Sequence, residues 1–381
     1  MSNVTQDEAY QLIHAWACDT RNSQRVVRLG GLAGTGKTTL VKRLAKAFEF
    51  QIPILAYTNK AVHVLRSKGV VNAQTIHSRL YTGPGGPDSN SVSEAWETAL
   101  RRLAADPRSD SLKREYYRQN DLRKHVRFSF GYRSIEVPKG APAFLIVDEA
   151  SMVSAKILHD IQSAFAGKIL LVGDYGQLPP IREVSVLGEH NLDLTLAHIY
   201  RQQHGSKIIQ IAYEARETGM LPKIAGGLDI LGDTLDDIVL CHSNATRGRL
   251  NRQIRDHLGY DTRDDAFCLG EIILCHTTDK RQNVLNGCRY KILETVNLGL
   301  RLDYTVMTDG VSPRNIYYEG PLSACFTNGY VCTVHKAQGS EFSSVRILDD
   351  FSRRLARKNP ELRKQWAYTA VTRAKENLFI E

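Results

Sequence analysis

The residues best equipped for chemistry stand at 31–39, Gly31-Leu32-Ala33-Gly34-Thr35-Gly36-Lys37-Thr38-Thr39. The first eight fit G-x-x-x-x-G-K-[ST] at every fixed position. Glycines let backbone N–H groups turn inward around phosphate oxygens, and a following helix adds its positive dipole end. Lys37 can reach the β- and γ-phosphates, and the Thr38 hydroxyl can ligate Mg²⁺. The nucleotide-binding set read here is Gly31, Gly34, Thr35, Gly36, Lys37, Thr38 and Thr39. Two further sets of polar residues follow apolar runs. AFLIVDE at 143–149 delivers Asp148 and Glu149, and ILLVGDYGQLPP at 169–180 delivers Gln177. Asp148 would hold the Mg²⁺ that Thr38 also touches. Glu149 would orient and deprotonate an attacking water, and Gln177 would sense the γ-phosphate or that water.

Such side chains need a scaffold that brings them to one edge. Val26, Val27 and Leu29 read as a strand into the P-loop, and Leu40, Val41, Leu44, Ala45 and Phe48 recur at helical spacing behind it. Continuous apolar runs at 143–147 and 169–172 suit strands of a parallel sheet buried on both faces. Ligands of such sheets bind beyond the strands' carboxyl ends. The expected fold class is therefore α/β.

The chain has 381 residues, long for one core, so two or more domains are expected. A 42% hydrophobic share is that of a soluble globular protein, and no apolar run approaches the ~20 residues of a membrane span. The start, MSNVTQDEAYQLIHAWACD, has no basic flank or long apolar stretch, so no signal peptide is expected. Seven scattered cysteines form no C-x-x-C pair, which argues against a zinc site or disulfide framework and suggests a reducing cytoplasm. The formal net charge of +9 points weakly to a polyanionic partner.

In chain order, residues 5–18 predict an amphipathic helix with Thr5 as N-cap and Glu8 closing a capping box. A strand at 52–57 ends at Thr58-Asn59, and Gln74-Thr75-Ile76-His77-Ser78 follows. Thr and Asn at such places serve as caps as readily as ligands. Gly-Pro-Gly-Gly-Pro at 83–87 marks a boundary. Beyond it, residues 98–133 hold ten Lys/Arg against four Asp/Glu, interleaved with Tyr116, Tyr117, Phe128, Phe130 and Tyr132. That pattern suits single-stranded nucleic acid, and equally a solvated helical face with its own small core. A strand-like run at 237–241 precedes a helix. Residues 271–275 and Asn286-Gly287 suggest a small β-rich unit, and 326–348 return to α/β sequence.

The ordered set GLAGTGKT, AYTNKA, TIHS, VDEAS, GDYGQLPP, YRQ, TVHKAQGSEF and YTAVTRAK resembles the motifs of superfamily 1 helicases, most nearly the RecD/Dda-like branch that moves 5′ to 3′ on DNA. The resemblance spans about 26–376. It implies two tandem RecA-like domains (1–80 with 141–195, and 196–265 with 326–381), an insertion at 81–140 as strand-separation candidate, and a small SH3-like module at 266–325. It implies Arg201 and Arg373 as arginine fingers, Tyr200 stacking on adenine, and Gly339 and Glu341 at the nucleotide edge of the second domain. By the same resemblance Thr58, Asn59, Thr75 and His77 grip the strand from the first domain, and Thr333 and His335 from the second. ATP and Mg²⁺ are the implied cofactors. Single-stranded DNA and its junctions with duplex are the implied partners, joined by replication or repair proteins. A monomer in a bacterial or phage-infected cytoplasm is the expectation.

Two departures stand out. The family's adenine-reading glutamine falls on Glu8, so Gln6 or Gln11 would have to substitute. The insertion is long and partly helical where a short hairpin is usual. Three activities fit to different degrees. A DNA helicase explains all the motifs. A single-strand-dependent ATPase that translocates or clamps without unwinding explains them without a strand-separating element. A small-molecule kinase leaves the second α/β half unexplained.

Overall fold

The computed structural model describes residues 2–81, 95, 98–99, 102–103, 106, 109–125, 133–198, 207–225, 234–260, 267–278, 284–297, 302–307, 314–318 and 325–381. The expected α/β class is what it shows. Seven strands form a parallel sheet: β1 (Ser2–Val4), β2 (Val26–Gly31), β3 (Ile54–Ala56), β4 (Ala73–Thr75), β5 (Phe144–Asp148), β6 (Lys168–Gly173) and β7 (Leu194–Leu196), in the order β1-β7-β2-β6-β5-β3-β4. Every residue of β5 is buried, as its unbroken apolar run demands. Between these strands come helices α1 (Gln6–Cys18), α2 (Lys37–Ala47), α3 (Asn59–Ser67), α4 (Ile76–Leu80), α5 (Asp110–His125) and α6 (Ala155–Ala164). One face of the sheet packs on a cluster that includes Ile13, Leu40, Leu44 and Leu170, the other on one with Leu145, Val147, Leu158 and Ile161. The predicted capping box of α1 is present: Glu8 accepts from the Thr5 N–H at 2.8 Å, and Thr5 Oγ1 accepts from Glu8 N–H at 3.3 Å.

A second lobe follows α7 (Lys207–Thr218) and is built on β8 (Asp237–Cys241) and α8 (Asn244–His257). An antiparallel sheet then runs through β9 (Ile272–Cys275), β10 (Arg289–Asn297), β11 (Leu302–Met307), β12 (Arg314–Tyr318) and β13 (Phe326–Asn328), ordered β12-β11-β10-β9-β13. The second parallel sheet closes with β14 (Val331–Thr333), β15 (Phe342–Ile347) and β16 (Ala374–Ile380), flanked by α9 (Arg353–Lys358) and α10 (Pro360–Val371), in the order β14-β8-β15-β16. Arg289 joins the antiparallel sheet to this lobe: its guanidinium donates to the carbonyls of Gly329 (2.8 Å), Leu235 (3.0 Å) and Asp237 (2.7 Å).

Within the predicted insertion, α5 confirms a helical component, and Ala99, Leu103 and Tyr116 form a small core of their own. No described helix is long and apolar enough to cross a membrane.

The lobes meet through side chains near the P-loop. Leu178, on the loop after β6, is fully buried in the second lobe's core beside Tyr368 and Trp366. Its N–H donates to Thr369 Oγ1 at 2.9 Å, and its carbonyl accepts from Gln338 Nε2 at 2.8 Å. A buried backbone pair satisfied from the opposite lobe fixes the seam at that point.

Candidate nucleotide site

Strand β2 ends in Gly30 and Gly31, and the chain turns through Gly34 (φ +84°) and Gly36 (φ +81°) into α2. The left-handed conformation at Gly36 favours glycine. A Cβ there would also lie 1.6 Å from Gln6 Nε2. Gln6 donates to the Thr35 carbonyl at 3.2 Å, so the first turn of α1 is pinned to the phosphate loop. Glu8 points into its own capping box instead, and Gln11 lines a different depression with Asn3 and Leu12. Of the residues offered for the family's glutamine position, only Gln6 touches the P-loop.

Lys37 Nζ donates to the carbonyls of Gly31 (2.8 Å) and Leu32 (2.9 Å) and lies 3.8 Å from Asp174 Oδ2. The ammonium is thus folded onto its own loop. Strand β5 delivers Asp148 and Glu149 to the same edge. Glu149 has φ +53°, an uncommon conformation for a residue with a side chain, of the kind that collects at functional sites. Burial, and next the Asp148 carboxylate, push its pKa up to about 7, against the opposing pull of Arg373 and Lys37. Burial also raises the Asp148 carboxyl, offset by the Glu149 N–H on Oδ1 (2.9 Å) and by Lys37 and Lys68.

A cleft of about 250 Å³ opens between the lobes here. Gly34, Gly36, Lys37, Thr38, Thr39, Glu149 and Gln177 line it from the first lobe, and Gly339, Glu341 and Arg373 from the second. Gly31, Thr35 and Asp148 lie beneath that lining, all buried. Gln177 donates through Nε2 to Asp174 Oδ2 at 3.3 Å, while its buried Oε1 has no partner among the described residues. Arg373 is spread over neutral oxygens: Thr369 O (3.1 Å), Ser340 O (3.0 Å) and Thr372 Oγ1 (3.1 Å). Its charge therefore stays available to the cleft. Tyr200 and Arg201 lie outside the described residues.

The set fits Mg²⁺. Thr38 and Asp148 offer hard oxygen donors, and Mg²⁺ is usually held by one or two protein oxygens plus substrate phosphates. Among the described residues no group of three or more His, Cys, Asp or Glu could hold a metal ion.

Three participants escaped the sequence reading. Asp174 is fully buried and gathers Lys37, Gln177 and Tyr368. Tyr368 reaches across from α10: its hydroxyl donates to Asp174 Oδ2 at 2.8 Å and accepts from the Ala33 N–H at 2.6 Å. Lys68 lines the cleft from the end of α3. Asp174 and Tyr368 sit inside the motifs GDYGQLPP and YTAVTRAK, the one available signal, but nothing local says that they meet.

The expected strand-gripping residues are more scattered. Thr58 and Thr75 act as N-caps, accepting from the N–H groups of Ala61 and Ser78 at 3.1 Å each. Asn59 opens α3. Gly339 (φ +73°) lies against Thr58, where a Cβ would come within 2.9 Å of Oγ1. Thr333 is buried at the end of β14. His77 and His335 line one cavity from opposite lobes.

Comparison with known proteins agrees with this geometry. Residues 14–224 match the AAA domain family model. The chain belongs to the AAA domain family. Residues 328–380 match the UvrD-like helicase C-terminal domain, so this AAA-domain chain is a superfamily 1 protein of the RecD/Pif1 type. It is 24% identical to the ATP-dependent RecD2 DNA helicase of Deinococcus radiodurans over 95% of its own length and 47% of that protein, so it spans about half the length of that relative. It is 26% identical to the RecBCD enzyme subunit RecD of Mycolicibacterium smegmatis, over 94% of this chain and 68% of that one. The fold is similar to that of Pif1 helicase from Candida albicans (TM-score 0.56, 15% identity, 100% of this chain and 95% of that one). It is equally similar to that of Pif1 helicase from Bacteroides in complex with ADP-AlF3 and ssDNA (TM-score 0.56, 17% identity, 100% and 93%).

Proposed function

We propose that this AAA-domain chain is an ATP-driven motor that moves 5′ to 3′ on single-stranded DNA and unwinds duplex at single/double-strand junctions. The observation that carries the reading is the shared cleft, with P-loop, Glu149 and Gln177 on one wall and Arg373 on the other. A site divided between two lobes makes its full set of contacts only when they are closed, so nucleotide binding favours closure.

Lys37 leaves the carbonyls of Gly31 and Leu32 for the β- and γ-phosphates. Gln177 Oε1, without a partner among the described residues, accepts from the attacking water, and Glu149 takes its proton. A carboxyl with a pKa near 7 is matched to that exchange at neutral pH. Arg373 offsets the charge on the transferring phosphoryl group. Mg²⁺, held by Thr38 and Asp148, supplies charge neutralisation to the phosphate oxygens when bound. Tyr200 and Arg201 remain assigned to adenine stacking and to a second arginine finger. Gln6 takes the place of the glutamine that the family sets at Glu8, and the antiparallel sheet β9–β13 is read as the SH3-like module. The RecD2 relative named above is a DNA helicase, and the Bacteroides Pif1 helicase is in complex with ssDNA, which supports DNA as the track. A monomer in the cytoplasm, serving replication or repair, is the context proposed.

The test is ATP hydrolysis with and without single-stranded DNA, for the natural chain and for Arg373→Ala. The reading expects DNA-stimulated turnover that falls about 10³-fold or more in the variant. Unchanged turnover in Arg373→Ala would refute the two-lobe site.

A further inference from the structure

Besides Lys37 and Arg373, the nucleotide cleft is lined by a cation whose task no motif assigns: Lys68. Helix α3 carries it there. The helix's N-cap Thr58 and first-turn Ala61 lie against Gly339 of the second lobe, where a Cβ would come within 2.9 Å of Thr58 Oγ1 and 3.7 Å of Ala61 Cβ. Val64 and Lys68 then line the cleft itself. Ala61, Val64 and Lys68 stand at i, i+3 and i+7, so one stripe of α3 faces the nucleotide site.

Lys68 is the C-cap of α3, and its N–H donates to the Val64 carbonyl at 3.2 Å. A lysine at a helix C-terminus commonly serves the negative end of the dipole. Here the side chain also belongs to the stripe that faces the cleft. Burial raises the Asp148 carboxyl, and Lys68 is among the charges that pull it back, so the ammonium is within electrostatic reach of the metal side of the site. Among the described residues that ammonium makes no hydrogen bond or ion pair. Lys37 differs, being folded onto carbonyls of its own loop, and Arg373 lies on neutral oxygens of the opposite lobe. A magnesium-bound triphosphate is still an anion, and an unpaired ammonium on the α3 wall is placed to meet it.

We propose that Lys68 is a phosphate-binding residue: its ammonium contacts the phosphate chain of the bound nucleotide from the α3 side, beside Lys37 and Arg373. The proposal rests on the ATP-driven motor reading and refines it. It makes the C-terminus of α3 a nucleotide contact, while the N-terminus of the same helix touches the second lobe at Gly339. Lys68 is exposed, and water screens its charge. Its part is therefore affinity, and bond breaking stays with Glu149, Gln177 and Arg373.

The test measures equilibrium binding of ATP at saturating Mg²⁺, and steady-state hydrolysis with single-stranded DNA, for the full chain and three variants. Lys68→Met should weaken ATP binding about 5- to 30-fold and raise KM by a similar factor, with kcat within about threefold of the natural value. Lys68→Arg keeps the charge and should bind within about threefold of the natural chain. Lys42→Met is the control: Lys42 Nζ lies 3.6 Å from where a Cβ of Gly69 would stand, and Lys42 does not line the cleft, so its loss should leave ATP affinity unchanged. An equal loss in Lys42→Met would reduce Lys68 to general surface charge and overturn the contact. Recovery of natural affinity by Lys68→Met in excess Mg²⁺ would show that Lys68 acts only through the Asp148 carboxylate, and would overturn it as well. Equal ATP affinity in Lys68→Met and the natural chain would overturn the contact and leave the motor reading in place. A natural chain that binds no ATP would overturn both.

Discussion

Replacing Tyr368 by phenylalanine removes one oxygen and leaves the ring. That oxygen is placed where it is hardest to lose. Tyr368 and Asp174 are both 0% exposed, so water cannot take over either hydrogen bond. The hydroxyl donates to a buried carboxylate at 2.8 Å and accepts from the Ala33 N–H at 2.6 Å. Hydrogen bonds to charged groups contribute about 1.5–3 kcal/mol, and an orphaned buried N–H costs about 1–3 kcal/mol. Allowing for partial relaxation, Tyr368→Phe should cost about 2–5 kcal/mol. Tyr213→Phe is the internal control. Tyr213 is half-buried and reaches the Ala33 carbonyl at 3.3 Å, so its loss should cost less than about 1 kcal/mol. Urea unfolding of the three proteins, with the free energy extrapolated to water, measures both values. A Tyr368→Phe loss no larger than that of Tyr213→Phe would refute the argument that this hydroxyl ties the second lobe to the P-loop.

The remaining predictions concern the cleft and the lobe behind it. Lys37→Ala should abolish ATP hydrolysis, read by phosphate release, because no other described cation reaches between Gly31 and Asp174 in that loop. Glu149→Gln should retain ATP binding in a filter or fluorescence assay yet lose turnover; turnover within about tenfold of the natural chain would contradict its role as base. Chelating divalent cations should stop hydrolysis, with restoration by added Mg²⁺ and not by monovalent salt. Glu271→Ala should destabilise the chain by about 3–5 kcal/mol in the same urea assay, since it strips the carboxylate from buried Arg255, whose Nε lies 2.6 Å from Oε1.

What the sequence made legible was local. The apolar run before the P-loop, the buried strand β5 that ends in Asp148, and the capping box Thr5–Glu8 are each stated by neighbours a few residues apart. Strand ends drift by one to three residues, as with Ile54–Ala56 inside the expected 52–57, where Ile52 is buried yet lies outside the strand, beyond Pro53. What stayed hidden is contact at a distance. Asp174 and Tyr368 are 194 positions apart, and only the docking of the two lobes joins them. Leu178 reads as the start of a loop yet belongs to the core of the opposite lobe. Gln6 is one of the two glutamines offered for the family's adenine-reading position, and its tie to Thr35 depends on where β1 and α1 lie on the sheet edge. Thr58 and Thr75 carry a motif resemblance, but their hydroxyls are engaged as helix caps.

Strand displacement on two partial duplexes, one with a 5′ single-stranded tail and one with a 3′ tail, with ATP hydrolysis followed in parallel, decides whether the chain is a directional motor. A 5′-to-3′ motor predicts ATP-dependent displacement from the 5′-tailed substrate alone, lost in Lys37→Ala. Displacement from the 3′ tail would contradict the direction. DNA-stimulated hydrolysis without displacement from either tail would contradict unwinding and leave a translocase or clamp.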